Sequence, residues 1–383
     1  MPQADEVANA RVDASIATQR SPVDYDVRSE ADLQQLRELW ARDEAIPVIV
    51  TPETDLPDNG WLGLSVRAFL RGEQSGGRFS AHAVSLAPGA GLRPHYFQQG
   101  HTYIAVLDGE VELQIGATRQ LVSAYTLGYC PAYTRQGFRN NSDRSANLII
   151  VHAPAGMDRA FAALHQHWVD TGESGEAAYE ALLTGMGVSF DDAELENDGK
   201  TNQILPPLEF DFQKEGDLDR IRELFLSRPA VPRLVSLLRD DLAQKDVAKT
   251  FRSEAIRGDD TAGNGMINFL AGAPGMNAPP HYQPTEDEFF FILEGGLFMT
   301  CGAHKKTLGP GSMAYCPKNC THAFINNSPS DNTFFFTLNS PAGHERALET
   351  VRNLLPKGAS PEEIDQLSRA GGFIFKTLPE APS

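Results

Sequence analysis

The sequence predicts an all-β core built twice, each copy a sandwich or barrel with helical flanks. Three observations carry this expectation. The chain repeats itself, because Pro94-His95-Tyr96 matches Pro280-His281-Tyr282 at an offset of 186. The same offset relates Leu107 to Leu293, Gly109 to Gly295, Tyr129-Cys130-Pro131 to Tyr315-Cys316-Pro317, and Asn140-Asn141-Ser142 to Asn326-Asn327-Ser328. Second, short apolar runs alternate with turn residues, as many short strands require. Third, each copy begins and ends with apolar residues at helical spacing.

The elements follow in order. Ala31 to Arg42 and Gly216 to Ser227 read as the leading helices, and Asp32-Leu33 matches Asp217-Leu218 at an offset of 185. Tyr103 to Leu107 and Phe289 to Leu293 read as core strands, punctuated by Asp108-Gly109 and Glu294-Gly295-Gly296. Met157 to Trp168 and His344 to Leu355 read as closing helices, after Pro154-Ala155-Gly156 and its match Pro341-Ala342-Gly343. Strands this short and numerous imply Greek-key or jelly-roll connections. The acidic stretch Phe190 to Lys200 reads as the inter-domain linker. The expected domains are 1–200 and 201–383.

Composition narrows the partners. The 383 residues hold 33 basic and 51 acidic side chains, a net charge of −18, which repels nucleic acid and anionic membrane surfaces. No run approaches the ~20 apolar residues of a membrane span, and the N-terminal residues show no apolar signal core. Four cysteines, Cys130, Cys301, Cys316 and Cys320, are too few for a disulfide framework, so a reducing, cytoplasmic setting is expected. Cys130 and Cys316 read as strand packing residues, and Cys320 as an inert thiol.

The chemistry concentrates in the second copy. There the chain runs His281-Tyr282-Gln283, then Glu288, six further residues and Gly295; later come Pro317, His322 and Asn326. This resembles the two motifs of the cupin superfamily, H-x-H with a following Glu and Gly, and P-x-G-x-x-H-x-x-x-N. The resemblance covers both halves and implies a bicupin: two tandem jelly-roll β-barrels. It implies that His281, Glu288 and His322 bind one divalent metal per chain. Gln283 stands where the family has its second His, and Asn319 where it has Gly.

Strand alternation supports the same set, since His281 and Gln283 should face one way. Two imidazoles and one carboxylate make the facial arrangement of non-haem Fe(II) sites, although Mn, Ni, Co, Cu and Zn accept similar ligands. Gln283 is a candidate fourth ligand, or a hydrogen-bond partner of a metal-bound water. Glu288 is also the candidate proton acceptor. Phe290, Phe324 and Tyr315 are candidate pocket walls, while Phe289 and Phe291 should face the other way. Glu286 and Asp287 are expected as solvated charge at the barrel mouth.

In the first copy the equivalents are His95, Phe97, Thr102 and Gln136, too few ligands for a metal. His101 lies one residue from the Glu position and is expected on a loop or surface. That copy reads as a structural half, or as a pocket that binds without metal.

The resemblance implies a mononuclear metal-dependent dioxygenase, similar to the quercetin 2,3-dioxygenase group, that cleaves a C–C bond of a small aromatic or enolic substrate with O2. Two other readings stay open. One is a non-redox cupin enzyme (decarboxylase, lyase, isomerase or cyclase); the other is a non-catalytic bicupin that binds a small ligand. A homo-oligomer is compatible with all three.

Overall fold

The computed structural model describes residues 30–42, 44–173, 176–206, 208, 218–237, 251–343 and 360–376. Two β-barrels stand side by side, each made of a six-stranded and a five-stranded antiparallel sheet. In the first barrel the six-stranded sheet centres on His101–Asp108, flanked by Thr126–Pro131 and Ala146–Ala153. Its counterpart in the second centres on Asp287–Glu294, flanked by Met313–Cys316 and Thr333–Ser340. The smaller sheets hold Gly91–Phe97 with Gln136–Arg139, and Asn277–Tyr282 with His322–Ile325.

The repeated turns have a steric cause. Gly109 and Gly295 adopt φ of +80° and +72°, which L side chains rarely tolerate. A Cβ at Gly295 would also collide with the backbone of Asn332 and Thr333.

The two copies exchange a strand. Val48–Val50 joins the edge of the second barrel's sheet, where Val48 pairs Tyr315 and Val50 pairs Met313. Arg233–Ser236 reciprocates on the first barrel, where Arg233 pairs Tyr129. Each edge strand thus finds its ladder partner across the 200/201 boundary, and an edge left bare would expose unpaired amides.

The leading helices are Glu30–Trp40 and, among the described residues, Leu218–Leu226. Leu33, Leu36 and Trp40 are buried on the first, and Leu218, Ile221 and Phe225 on the second, a helical stripe in each case. The closing helix Met157–Thr171 ends at Gly172 in the left-handed conformation. Its counterpart, the expected helix at 344–355, lies outside the described residues. A further helix, Pro361–Ala370, starts with a capping box: Ser360 Oγ accepts from the Glu363 amide, and Glu363 answers at the Ser360 amide.

The expected linker Phe190 to Lys200 is instead part of the first barrel's wall. Tyr96 donates to Asp191 at 3.1 Å, Arg135 Nε to Asp198 at 3.2 Å, and Asn197 to the Ala132 carbonyl at 3.1 Å. Asp191 and Asp198 tie the stretch to the barrel, while Asp192, Glu194 and Glu196 stay exposed.

Apolar burial falls into separate cores. One fills the first barrel around Leu113, Ile104 and Phe138, and another fills the second around Phe290, Met299 and Phe335. Between them the two large sheets meet face to face, through Phe79, Tyr103, Tyr129, Phe289, Phe291 and Tyr315. A fully buried Phe is worth about 2–3 kcal/mol, so this seam holds the barrels as one body. It also makes the large sheets apolar on both faces.

Candidate metal centre

Three strands build the centre. Asn277–Tyr282 carries His281, opposite His322 on the neighbouring strand His322–Ile325. Glu288 comes from the large sheet, where it pairs Cys316 on one side and Asn339 on the other. One ligand atom each from His281, Glu288 and His322 gathers within 4.8 Å of the others, and all three residues are buried. His281 Nδ1 lies 2.6 Å from the Pro279 carbonyl, and His322 Nδ1 lies 3.0 Å from the Cys320 carbonyl. A carbonyl only accepts, so each carbonyl favours a proton on Nδ1, the tautomer whose Nε2 lone pair is free to bind a cation. Two neutral imidazoles and a carboxylate are a donor set that fits a divalent cation.

Gln283 is 2% exposed, and its amide nitrogen donates to Glu288 Oε2 at 2.8 Å. His322 Nε2 lies 2.9 Å from the same oxygen. Asn319, which stands where the motif has Gly, takes φ +65° and so supplies the left-handed turn itself.

Phe290 packs beside the ligands, and Phe324 packs on Phe290. The Phe290 ring stands 5.8 Å from His322 and 5.7 Å from Phe324. Tyr315 does not join them. It pairs with Phe289 in register, packs among Phe79 and Phe289, and lies on the seam between barrels. Alternation places it on the outer face, and that face is buried because a second sheet covers it.

Glu286 and Asp287 are not solvated: they are 0% and 3% exposed. Arg78 of the first barrel grips Asp287 with both prongs, at 2.6 and 2.8 Å, and also reaches Tyr315 at 3.2 Å. Burial disfavours the Arg78 charge, but the Asp287 carboxylate more than offsets this and holds its pKa above the ordinary value. Arg222 holds Glu286 at 2.8 Å and the Ala342 carbonyl at 3.1 Å. Both carboxylates beside the Glu288 strand are therefore neutralised by fixed guanidinium groups.

The thiols also depart from expectation. Cys301 and Cys316 form a disulfide between the second barrel's two sheets, their Cα atoms 6.0 Å apart. Cys320 Sγ lies 3.9 Å from Cys301 Sγ, and burial raises its pKa.

Some site residues carry no motif signal. Phe373 stacks on His281 with centroids 4.1 Å apart, and Ile374–Phe375 pairs with His281 and Tyr282. The apolar run Phe373-Ile374-Phe375 near the C-terminus was the available clue. In the first barrel, His82 and His152 are buried with their rings 5.7 Å apart. Ladder positions equate them with Asn268 and Asn339, and the repeat alignment could have shown this. His101, expected on a surface or loop, begins a core strand and packs on Tyr103 and Tyr129, where burial lowers its pKa to about 4.

This arrangement defines a class. The Cupin domain family matches residues 82–152 and again 270–338, one match in each barrel, and the chain belongs to the cupin superfamily as a bicupin. Quercetin 2,3-dioxygenase of Bacillus subtilis (strain 168) is 24% identical over 264 residues, spanning 66% of this chain and 71% of that protein. Among solved structures, oxalate decarboxylase from Bacillus subtilis at pH 4.6 is 14% identical with a TM-score of 0.46, covering 87% of this chain and 88% of that one. Protein Ylba from E. coli is 10% identical with a TM-score of 0.47, covering 79% and 96%. No helix among the described residues is long and apolar enough to cross a membrane.

Proposed function

We propose that the protein is a mononuclear metal-dependent dioxygenase acting on a small aromatic or enolic substrate. The observation that carries this is the convergence of His281, Glu288 and His322 in one buried cluster beside Phe290. The sequence relationship to a quercetin 2,3-dioxygenase supports the substrate class. In this reading the second domain, 201–383, holds the metal and the first, 1–200, does not.

His281 Nε2, His322 Nε2 and a Glu288 oxygen would hold the ion. Fe(II) suits that set, and bound there it supplies the redox access to O2 that side chains lack. The chain's own residues do the rest. Glu288 accepts the hydroxyl proton of the substrate, its carboxylate oriented by the Gln283 amide at 2.8 Å. Gln283 is thus a positioning residue for Glu288 rather than a fourth ligand. Phe290 and Phe324 exclude water and offer ring faces to an aromatic substrate.

Turnover of flavonols and simpler aromatic enols by metal-loaded protein should stop when O2 is removed and resume on its return. Turnover that continues undiminished without O2 would sink the dioxygenase reading in favour of Lewis-acid chemistry on the same ligands.

A further inference from the structure

The first barrel holds buried polar groups for which neither a metal nor the fold provides a use. Its interior cavity, about 20 Å³ and lined by His95, Thr102, Gln136 and His152 amid apolar walls, shares Phe97, Thr102, His152 and Met157 with an adjoining space of about 180 Å³. Gln136, 3% exposed, gives its amide nitrogen to Thr102 Oγ1 at 3.2 Å. Among the described residues its Oε1 has no partner, and neither has His152 Nδ1 on a ring 7% exposed. Leaving such atoms unpaired in a dry interior costs about 1–3 kcal/mol each, which a ligand would recover.

The chemistry of these groups selects the ligand. Gln136 Oε1 can only accept, so it asks for a hydroxyl donor, and an imidazole can then bond the same hydroxyl. The cavity's interior lining contains no Asp, Glu, Lys or Arg, which excludes an ion as the favoured occupant. Burial keeps the histidines uncharged: His95 is lowered to about 4 and His152 falls well below its ordinary value. The 20 Å³ interior has room for a hydroxyl, and the adjoining 180 Å³, bordered by Arg37 and Gln98, has room for a benzene-sized ring, which needs about 150 Å³.

From this geometry we infer that the first barrel is a metal-free binding site for a small neutral phenol or enol, whose hydroxyl sits between Gln136 Oε1 and the His152 ring. The site is independent of the metal centre. The two barrels then hold ligands of one chemical class by different means, a cation in one and neutral hydrogen-bond partners in the other. Replacement of His322 by Gln136 and of Asn339 by His152 at equivalent ladder positions is the substitution pattern that separates them.

Calorimetric titration of the full chain, dialysed against chelator, tests the site with phenol as the probe. Saturable binding with Kd of roughly 0.1–1 mM is expected for a ligand of this size. Toluene, which lacks the hydroxyl, and benzoate, which is charged, should each bind roughly tenfold more weakly or not at all. Gln136→Leu should weaken phenol binding roughly tenfold while leaving toluene unaffected. His152→Asn, which installs the residue of the second barrel, should weaken phenol binding in the same direction if Gln136→Leu does not fold. His281→Ala, which lies in the other barrel, should leave phenol binding unchanged. No saturable binding, toluene binding as tightly as phenol, or loss of binding in His281→Ala would each overturn the inference without touching the metal reading.

Discussion

Acidification from pH 7 to pH 5 should strongly destabilise the first barrel, well before ordinary carboxylates titrate. His82, His95 and His152 lie inside it, and burial is the largest cause of each depressed pKa, to about 3, about 4 and well below the ordinary value. A histidine that is neutral when folded and takes a proton when unfolded favours the unfolded chain as pH falls. The stability is complete above the unfolded pKa of about 6.5 and is lost progressively toward pH 4. Each such group contributes about 1.4 kcal/mol per pH unit across that window, so three contribute about 4. Domain stabilities are only about 5–15 kcal/mol. Buried Asp158 acts in the opposite direction, since burial raises its pKa, but it is one group acting nearer the carboxylate range. All three tryptophans, Trp40, Trp61 and Trp168, belong to the first copy, so their fluorescence follows its unfolding. The fluorescence melting temperature should fall steeply between pH 6.5 and 5, and His82→Asn or His152→Asn should reduce the slope. A flat profile over that range would refute the account of these histidines.

Arg78→Ala should cost about 3 kcal/mol of stability in denaturant titration, far more than a surface ion pair would. The arginine is partly exposed, but Asp287 is 3% exposed and would be left, among the described residues, with Tyr315 and the Lys318 amide for partners. The loss comes from stranding that carboxylate rather than from deleting a favourable pair. Arg78→Lys should recover only part of it, because an ammonium cannot span both oxygens. Arg78→Met combined with Asp287→Leu should be more stable than Arg78→Ala alone. The pair also joins the first barrel to the residue preceding Glu288, so the single variant should lower metal affinity in the second barrel. A change below about 0.5 kcal/mol in Arg78→Ala would show that water already screens Asp287.

Much of this architecture was legible because repetition constrains it. Two copies of one barrel must keep the same turns and the same core strands, so the offset of 186 survives where the chemistry has diverged. His281, Glu288 and His322 were legible for a related reason, as strand alternation brings residues of one motif to one face. The strand exchange was not. Val48–Val50 is three residues long, and nothing local says which of two similar edges it will join. Glu286 and Asp287 read as solvated because their arginine partners are 64 and 209 positions away. Tyr315 was misplaced for a different reason. Alternation distinguishes two faces of a strand, but it cannot say that both are buried when another sheet covers the outer one. His82 and His152 lay outside any motif, and only their ladder partners reveal that they share an interior.

The central claim is that one cation is held, in the second barrel alone, by His281, Glu288 and His322. Metal content per chain, measured on purified protein and on His322→Ala after reconstitution with Fe(II) and removal of free ion, tests it most directly. The account predicts one equivalent for the parent protein, close to none for His322→Ala, and one for His95→Ala in the first barrel. Two equivalents in the parent, or a full equivalent retained by His322→Ala, would contradict it.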